Sequence, residues 1–148
     1  MPADTGSGEN TMPETTRHSG ILIINPMESI DSLAAREFEW FIEDSIAEED
    51  THVLIDFENV AYISSAGLRC ILNTSKTMRR RNGFVALSAL SGGVRSVFAT
   101  SGFDSMFPIY SSVEEALSGM KLVSRAHPGE SETIFPPHAR PRSEPGRS

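Results

Sequence analysis

The sequence predicts an α/β fold: a small mixed, mainly parallel sheet of four to five strands with helices packed on it. Two observations lead to this prediction. Short apolar runs alternate with longer stretches of helical periodicity between residues 20 and 121. Both ends of the 148-residue chain hold few large apolar side chains, so a single core must come from the middle.

The apolar runs are the candidate strands. They lie at residues 21–24, 53–57, 84–87 and 106–110. Continuous apolar runs of this length, bounded by turn residues, are typical of buried strands. Pro108 cannot donate a ladder hydrogen bond, so we expect the last strand to lie at a sheet edge.

A stretch of helical periodicity follows each of these candidate strands. Over residues 30–45 one face is apolar and the other is rich in Asp and Glu, and Asp31 or Ser29 can cap the helix start. The acidic run is either a solvated face or a partner contact. Trp40 lies one position outside the apolar stripe and is either a half-buried ring beside the core or an exposed anchor for a partner.

The composition changes near residues 20 and 121 and divides the chain into three parts. We predict a flexible N-terminal segment over residues 1–19 and a folded domain over 20–121. We predict a disordered tail, rich in Pro, Arg and Ser, over residues 122–148.

Charge and cysteine content exclude several classes of partner. The net charge is −7, and residues 20–120 hold 14 Asp and Glu against 7 Lys and Arg. An acidic domain repels phosphate backbones, so we expect no nucleic acid partner. The single cysteine fits a reducing cytoplasm, and no apolar run approaches the roughly 20 residues that span a bilayer, so we expect a cytoplasmic protein without a membrane partner.

The chain offers no convergent set of catalytic groups. Three of its four histidines lie in the predicted end segments, and His52 opens a strand. Cys70 lies on the predicted second helix, where packing is the more frequent role of a cysteine. Glycine loops of the dinucleotide-binding and Walker types are missing from the sequence. We therefore expect no enzyme, no cofactor and no metal site.

A pair of serines stands immediately before the second helical stretch. The apolar period of that helix begins at Leu68, which makes Ser65 an N-cap or first-turn residue. A capping hydroxyl accepts a backbone N–H and contributes about 0.5–2 kcal/mol. On these residues alone, capping and a functional hydroxyl both remain open for Ser65.

The sequence around these serines resembles a known family. Residues 54–72 read LIDFENVAYISSAGLRCIL. A hydrophobic strand ends in Asp, a polar turn with a hydrophobic pair follows, and then come a serine, a small residue, Gly, Leu and an apolar helix. This pattern resembles the STAS domain family, the anti-sigma-factor antagonists, and the resemblance covers roughly residues 20–120.

The resemblance implies a function by partner switching. In its unphosphorylated form such a protein binds an anti-sigma factor that is also a serine kinase, and this frees a sigma factor for transcription. Phosphorylation of Ser65, or alternatively Ser64, breaks the complex, and a serine phosphatase restores it. The partner-binding residues are then expected to be Asp31, Tyr62, Ser64, Ser65, Ala66, Gly67 and Arg69.

A second function is compatible with the same resemblance. The chain could be a STAS module that binds another protein without phosphorylation, in a signalling, transport or secretion complex. Two departures from the family pattern bear on this choice: Ser64 stands where the family often has Asp, and Glu28 replaces a turn glycine. A third concerns the fold, because residues 10–19 do not read as the family's first strand, which we expect to be short, frayed or absent.

Overall fold

A computed structural model of the chain describes residues 11–126, with side chains up to residue 120. Apolar runs form its strands, and amphipathic stretches form its helices. In chain order the elements are β1 (Glu14–His18), β2 (Ile21–Asn25), β3 (Ser29–Ile30), α1 (Ser32–Ser45), β4 (His52–Asp56), β5 (Tyr62–Ile63), α2 (Ser65–Arg80), β6 (Phe84–Ser88), α3 (Gly92–Thr100), a 3-10 turn (Asp104–Met106), β7 (Ile109–Tyr110) and α4 (Val113–Ala126).

Five strands form one mixed sheet in the order β1-β2-β4-β6-β7. β1 pairs antiparallel with β2, and the remaining neighbours are parallel. The predicted mixed, mainly parallel sheet is therefore confirmed. The last strand lies at the edge as expected, but it is shorter than predicted and comprises only Ile109–Tyr110, because Asp104–Met106 form a 3-10 turn. The Pro108 carbonyl still accepts the Leu87 N–H at 2.9 Å, whereas Pro108 has no N–H to donate.

Helices cover both faces of the sheet. Alternate residues of β2 point to opposite faces, so Leu22 and Ile24 join one apolar cluster whereas Ile21 and Ile23 join another. The larger cluster is closed by α1, α2 and α3, and the smaller one by α4. The central strands are thus buried on both sides, which explains their continuous apolar sequence.

The N-terminal edge strand corrects the sequence prediction. Residues 14–18 form β1, in register from Glu14 opposite Asn25 to His18 opposite Ile21. The predicted flexible segment over 1–19 is wrong for these residues. The family's first strand, which we expected to be short, frayed or absent, is present and pairs along all five residues. No apolar alternation marks β1, because four of its five side chains are exposed. Backbone pairing with β2 and the ion pair between Arg17 and Asp50 hold it in place.

The C-terminal boundary is also corrected. We predicted that the domain ends at residue 121, whereas α4 continues to Ala126. No helix-breaking residue occurs until Pro128, and a proline disfavours helical geometry in the residue before it. The rest of the predicted tail and residues 1–10 lie outside the described part of the chain.

Candidate functional site

A small second sheet brings the starts of two helices together. β3 and β5 pair in parallel, with Ser29 opposite Tyr62 and Ile30 opposite Ile63. The pairing continues one residue further, because the Ser64 N–H donates to the Ile30 carbonyl at 2.8 Å. Since α1 begins just after β3 and α2 just after β5, the two N-termini lie side by side at the carboxyl ends of the parallel strands.

Ser64 is the N-cap of α2. Its backbone is extended, and its hydroxyl accepts the Gly67 N–H at 3.1 Å. The residue is only 8% exposed. The Ser64 hydroxyl is thus occupied by one of the backbone donors that a helix start leaves without a partner.

Ser65 is the first residue of α2, and its environment is the opposite of the buried, hydrogen-bonded environment of Ser64. The residue is exposed, and its hydroxyl makes no hydrogen bond with any residue from 11 to 126. The first turn of α2 contains no acidic residue. Unpaired N–H groups and the helix dipole make such a position favourable for negative charge. Ser65 therefore presents a free hydroxyl where an anion is tolerated.

Gly67 allows α2 to approach β3 closely. A Cβ atom at this position would lie 2.7 Å from Ile30 Cγ2 and 2.8 Å from Ile63 Cγ1, closer than carbon atoms pack. The glycine is buried. Its predicted importance thus has a steric reason, since any side chain would push the start of α2 away from the small sheet.

The other predicted site residues lie at the same edge. Asp31 is the N-cap of α1, where its Oδ1 accepts the Ala34 N–H at 2.8 Å. The Tyr62 side chain is 51% exposed, Ala66 is half-buried, and Arg69 is exposed one helical turn after Ser65. The structure thus brings all seven predicted residues together, with Ser64 and Gly67 beneath the surface and Tyr62, Ser65 and Arg69 on it.

Leu33 is a surface residue that sequence reasoning missed. It lies in the first turn of α1, two residues after Asp31, and is 85% exposed. The sequence pattern could have identified Leu33 as exposed, because Leu33 falls outside the apolar stripe that runs through Ala34 and Phe38. A large apolar side chain on the polar face of an amphipathic helix is a candidate contact residue.

A buried carboxylate supports the loop that leads to the site. Asp56 Oδ2 accepts the Asn25 side-chain amide at 3.1 Å, and Oδ1 accepts the Ser88 hydroxyl at 3.2 Å. Oδ1 also accepts the Glu58 N–H at 3.2 Å, at the start of the turn. Further along, the Ala61 N–H donates to the Glu28 carbonyl at 2.8 Å. The loop between β4 and β5 is therefore fixed at both ends.

The groups considered for catalysis have packing roles. Cys70 is buried on α2, its thiol donates to the Ala35 carbonyl at 3.3 Å, and burial raises the thiol pKa to about 11. The His52 ring packs edge-on against Phe84. Within residues 11–126 no three His, Cys, Asp or Glu side chains are grouped to hold a metal ion. The helices in this range are all too short or too polar to cross a membrane.

Comparisons with known proteins agree with this geometry. A sequence model of the STAS domain matches residues 12–116. The chain is 35% identical over 102 residues to "Putative anti-sigma factor antagonist BtrV" of Bordetella bronchiseptica, covering 69% of this chain and 88% of that protein. The solved structure of the anti-sigma factor antagonist SpoIIAA in its unphosphorylated form is similar, with a TM-score of 0.66, 20% identity and coverage of 75% of this chain and 97% of SpoIIAA. Its phosphorylated form from Bacillus has a TM-score of 0.58, also at 20% identity, with coverage of 72% and 96%. The chain therefore belongs to the STAS domain family, and its sequence relatives are named anti-sigma factor antagonists.

Proposed function

We propose that this protein is a partner-switching anti-sigma-factor antagonist whose switch is phosphorylation of Ser65. The unphosphorylated surface around Tyr62, Ser65 and Arg69 binds an anti-sigma factor that is also a serine kinase. The observation that carries the proposal is the difference between the two serines: Ser65 has an exposed hydroxyl, whereas the Ser64 hydroxyl is buried as a helix cap. A kinase can reach the Ser65 hydroxyl without unfolding α2.

A phosphate on Ser65 leaves the protein itself folded. The group adds about −1.5 to −2 charges at neutral pH. At the first position of α2 these charges lie at the positive end of the helix dipole. The exposed Arg69 lies four residues on, at the spacing at which helical side chains of opposite charge pair. The phosphorylated chain therefore needs no refolding to accept the new group.

The phosphate weakens the binding of the partner. A partner surface that has closed over a neutral hydroxyl meets a dianion without compensating charge. Leaving a buried charge unpaired at an interface costs about 2–5 kcal/mol, which corresponds to a loss of affinity of about 30-fold to several thousand-fold. A change of this size is enough to break one complex in favour of another, and a serine phosphatase would reverse it.

The test is to map phosphate after incubation with the anti-sigma factor kinase of the same cell and ATP. We expect one phosphate on Ser65, found by mass spectrometry of proteolytic peptides and lost in Ser65→Ala. Ser64→Ala is the matched control, and it should still be phosphorylated. Phosphate on Ser64 alone would move the switch by one residue and contradict the assignment.

Binding measurements separate this proposal from a constitutive binding module. Titration of the anti-sigma factor, followed by calorimetry, should give similar affinities for wild type and Ser65→Ala. Ser65→Asp and the phosphorylated protein should bind more weakly, the latter by more than tenfold. A stable complex with no phosphate transfer and no effect of Ser65→Asp would support the module that binds without phosphorylation.

A further inference from the structure

An open groove runs along α1, on the side next to the chain that enters β1. Its volume is about 730 Å³, within the range of sites that bind small molecules or peptide segments. Apolar side chains line it, with Met27 and Phe41 as the floor and Met12 and Trp40 as exposed walls. We call this surface the α1 groove. It is separate from Ser65 and from every residue used in the proposed switch.

The α1 groove combines aromatic and acidic groups. Trp40 is 60% exposed and Met12 is 80% exposed, which is unusual for large apolar side chains. Three exposed carboxylates, Glu37, Glu43 and Asp44, also line the groove. None of the three forms an ion pair with another residue of the described range. The groove therefore suits an apolar segment that carries positive charge.

One segment of the chain itself has this composition. Residues 134–142 read IFPPHARPR, with two arginines and no acidic residue. Ile134 and Phe135 are the only large apolar residues after position 126. Pro-rich segments bind in aromatic-lined grooves because they lose little conformational entropy on binding, and nearby carboxylates can bind their arginines.

The N-terminal residues 1–10 are a poorer match to the α1 groove. Residues 1–10 directly precede the groove, but they contain Asp4 and Glu9 and no lysine or arginine. Like charge therefore opposes their binding beside the three carboxylates. Apart from Met1 they also lack large apolar side chains.

The length of the chain permits the contact. Seven residues separate Ala126 at the end of α4 from Ile134, which gives a reach of about 27 Å when extended. α4 and α1 lie on opposite faces of one sheet, so two layer spacings of about 10 Å each, roughly 20 Å in all, separate them, which is less than this reach. A tether of this length gives an effective concentration of the order of millimolar, so a weak contact suffices.

We propose that residues 134–142 of the same chain bind in the α1 groove, with Phe135 against Trp40 and the arginines against Glu37, Glu43 and Asp44. This inference does not depend on the proposed phosphorylation switch. It assigns the exposed Trp40 and part of the acidic run of α1 to the binding of a basic, proline-rich segment.

The single tryptophan of the chain reports directly on the groove. The test compares Trp40 fluorescence in the full-length wild type, Phe135→Ala and the double variant Arg140→Glu, Arg142→Glu. We expect wild type to emit at shorter wavelength and to be quenched by acrylamide roughly twofold less than either variant, because a bound segment covers the ring. Arg147→Glu is the control for charge reversal outside the segment; it reverses one arginine where the double variant reverses two, and it should behave as wild type.

Two further measurements identify the occupant. A synthetic peptide of residues 127–148, added to Phe135→Ala, should restore the wild-type emission, and 1 M salt should weaken this effect. Identical spectra for wild type and both variants would overturn the proposal. A wild-type signal that appears only as protein concentration rises would also overturn it, because the groove would then hold a second copy of the chain.

Discussion

The adjacent serines of the site should respond differently to loss of their hydroxyl groups. Ser64→Ala removes the acceptor of the Gly67 N–H and should lower the free energy of unfolding by about 1 kcal/mol. Ser65→Ala removes an exposed hydroxyl and should change it by less than about 0.5 kcal/mol. Urea unfolding of the three proteins, followed by circular dichroism, measures both values. Equal losses for the two variants would contradict the assignment of Ser64 as the cap.

Gly67 should tolerate no side chain. In Gly67→Ala the added methyl group would meet Ile30 and Ile63 at less than 3 Å, so we expect a loss of about 1–3 kcal/mol in the free energy of unfolding. Gly93→Ala is the control. A Cβ atom at Gly93, in the first turn of α3, has no neighbour within 4 Å, and alanine favours helices over glycine. Urea unfolding should therefore show Gly93→Ala at least as stable as wild type.

The sequence could identify Ser64 and Ser65 as site residues, but it could not show which of them caps the helix and which has an exposed hydroxyl. The apolar period beginning at Leu68 placed the helix start within one residue, and the choice between Ser64 and Ser65 as cap lies within that uncertainty. The structure decides between them, because the Ser64 N–H donates to the carbonyl of Ile30, a residue distant in sequence, and Ser64 has the extended backbone and the Gly67 hydrogen bond of an N-cap. Long-range contacts of this kind leave no local pattern. The exposure of Leu33, by contrast, follows from its position outside the apolar stripe. The position of Trp40 left a half-buried ring and an exposed anchor both open, and the structure shows the ring 60% exposed.

At the level of elements, the sequence predicted the buried strands and the amphipathic helices because burial imposes apolar periodicity on them. The sequence did not predict β1, because an edge strand that pairs on one side only and has exposed side chains needs no apolar residues. Its stability comes from β2 and from an ion pair with a residue 33 positions away in sequence. The end of α4 was placed five residues early, because weakly apolar helical sequence after Met120 was assigned to the tail.

The attachment of β1 should weaken in acid. Arg17 donates to Asp50, and this hydrogen bond is the main cause that holds the pKa of the Asp50 carboxyl below its usual value. Asp50 also accepts the Ala47 N–H at 2.7 Å, and Arg81 donates to the carbonyls of Ala47 and Asp50 at 2.9 Å. The stabilisation is therefore present above the unfolded pKa of about 3.8 and is lost as the pH falls through the folded value.

The test of this attachment is Asp50→Asn. The variant should be less stable than wild type at pH 7, and the difference should shrink below about pH 4. Hydrogen exchange of the amides in β1 and β2, followed by NMR, should show that the variant opens this edge more readily than it opens β6. A constant difference between the two proteins from pH 7 to pH 2 would contradict the role of the Asp50 carboxylate.

The whole domain depends on two apolar layers on opposite faces of one sheet. Cys70 belongs to the layer that α1, α2 and α3 close, and Tyr110 belongs to the layer that α4 closes. Gly119 of α4 lies directly over the Tyr110 ring, since a Cβ there would be 2.6 Å from Cε1. Because β2, β4 and β6 contribute side chains to both layers, the loss of either layer would remove packing from the strands that carry the other. We therefore expect one cooperative unfolding transition.

Alkaline titration tests both layers in one protein. Burial is the main cause that raises the pKa of the Cys70 thiol from 9.0 to about 11 and that of the Tyr110 phenol from 10.0 to about 12. The folded state thus holds both protons more tightly than the unfolded state does. Their stabilising contribution is complete below the unfolded pKa values and is lost as the pH rises through the folded ones, so stability should fall between about pH 9 and pH 12.

Two variants assign this loss to its layers. Cys70→Ala should flatten the fall between about pH 9 and 11, and Tyr110→Phe the fall between about pH 10 and 12, because each removes one group that must ionise. Tyr62→Phe is the matched control for removal of a phenol group, since the Tyr62 ring is 51% exposed and belongs to neither layer. Urea unfolding at each pH, recorded both by Trp40 fluorescence on the α1 side and by circular dichroism, should give coincident transitions. Separate transitions, or a Tyr110→Phe curve as steep as that of wild type, would mean that α4 leaves its face of the sheet before the rest of the domain unfolds.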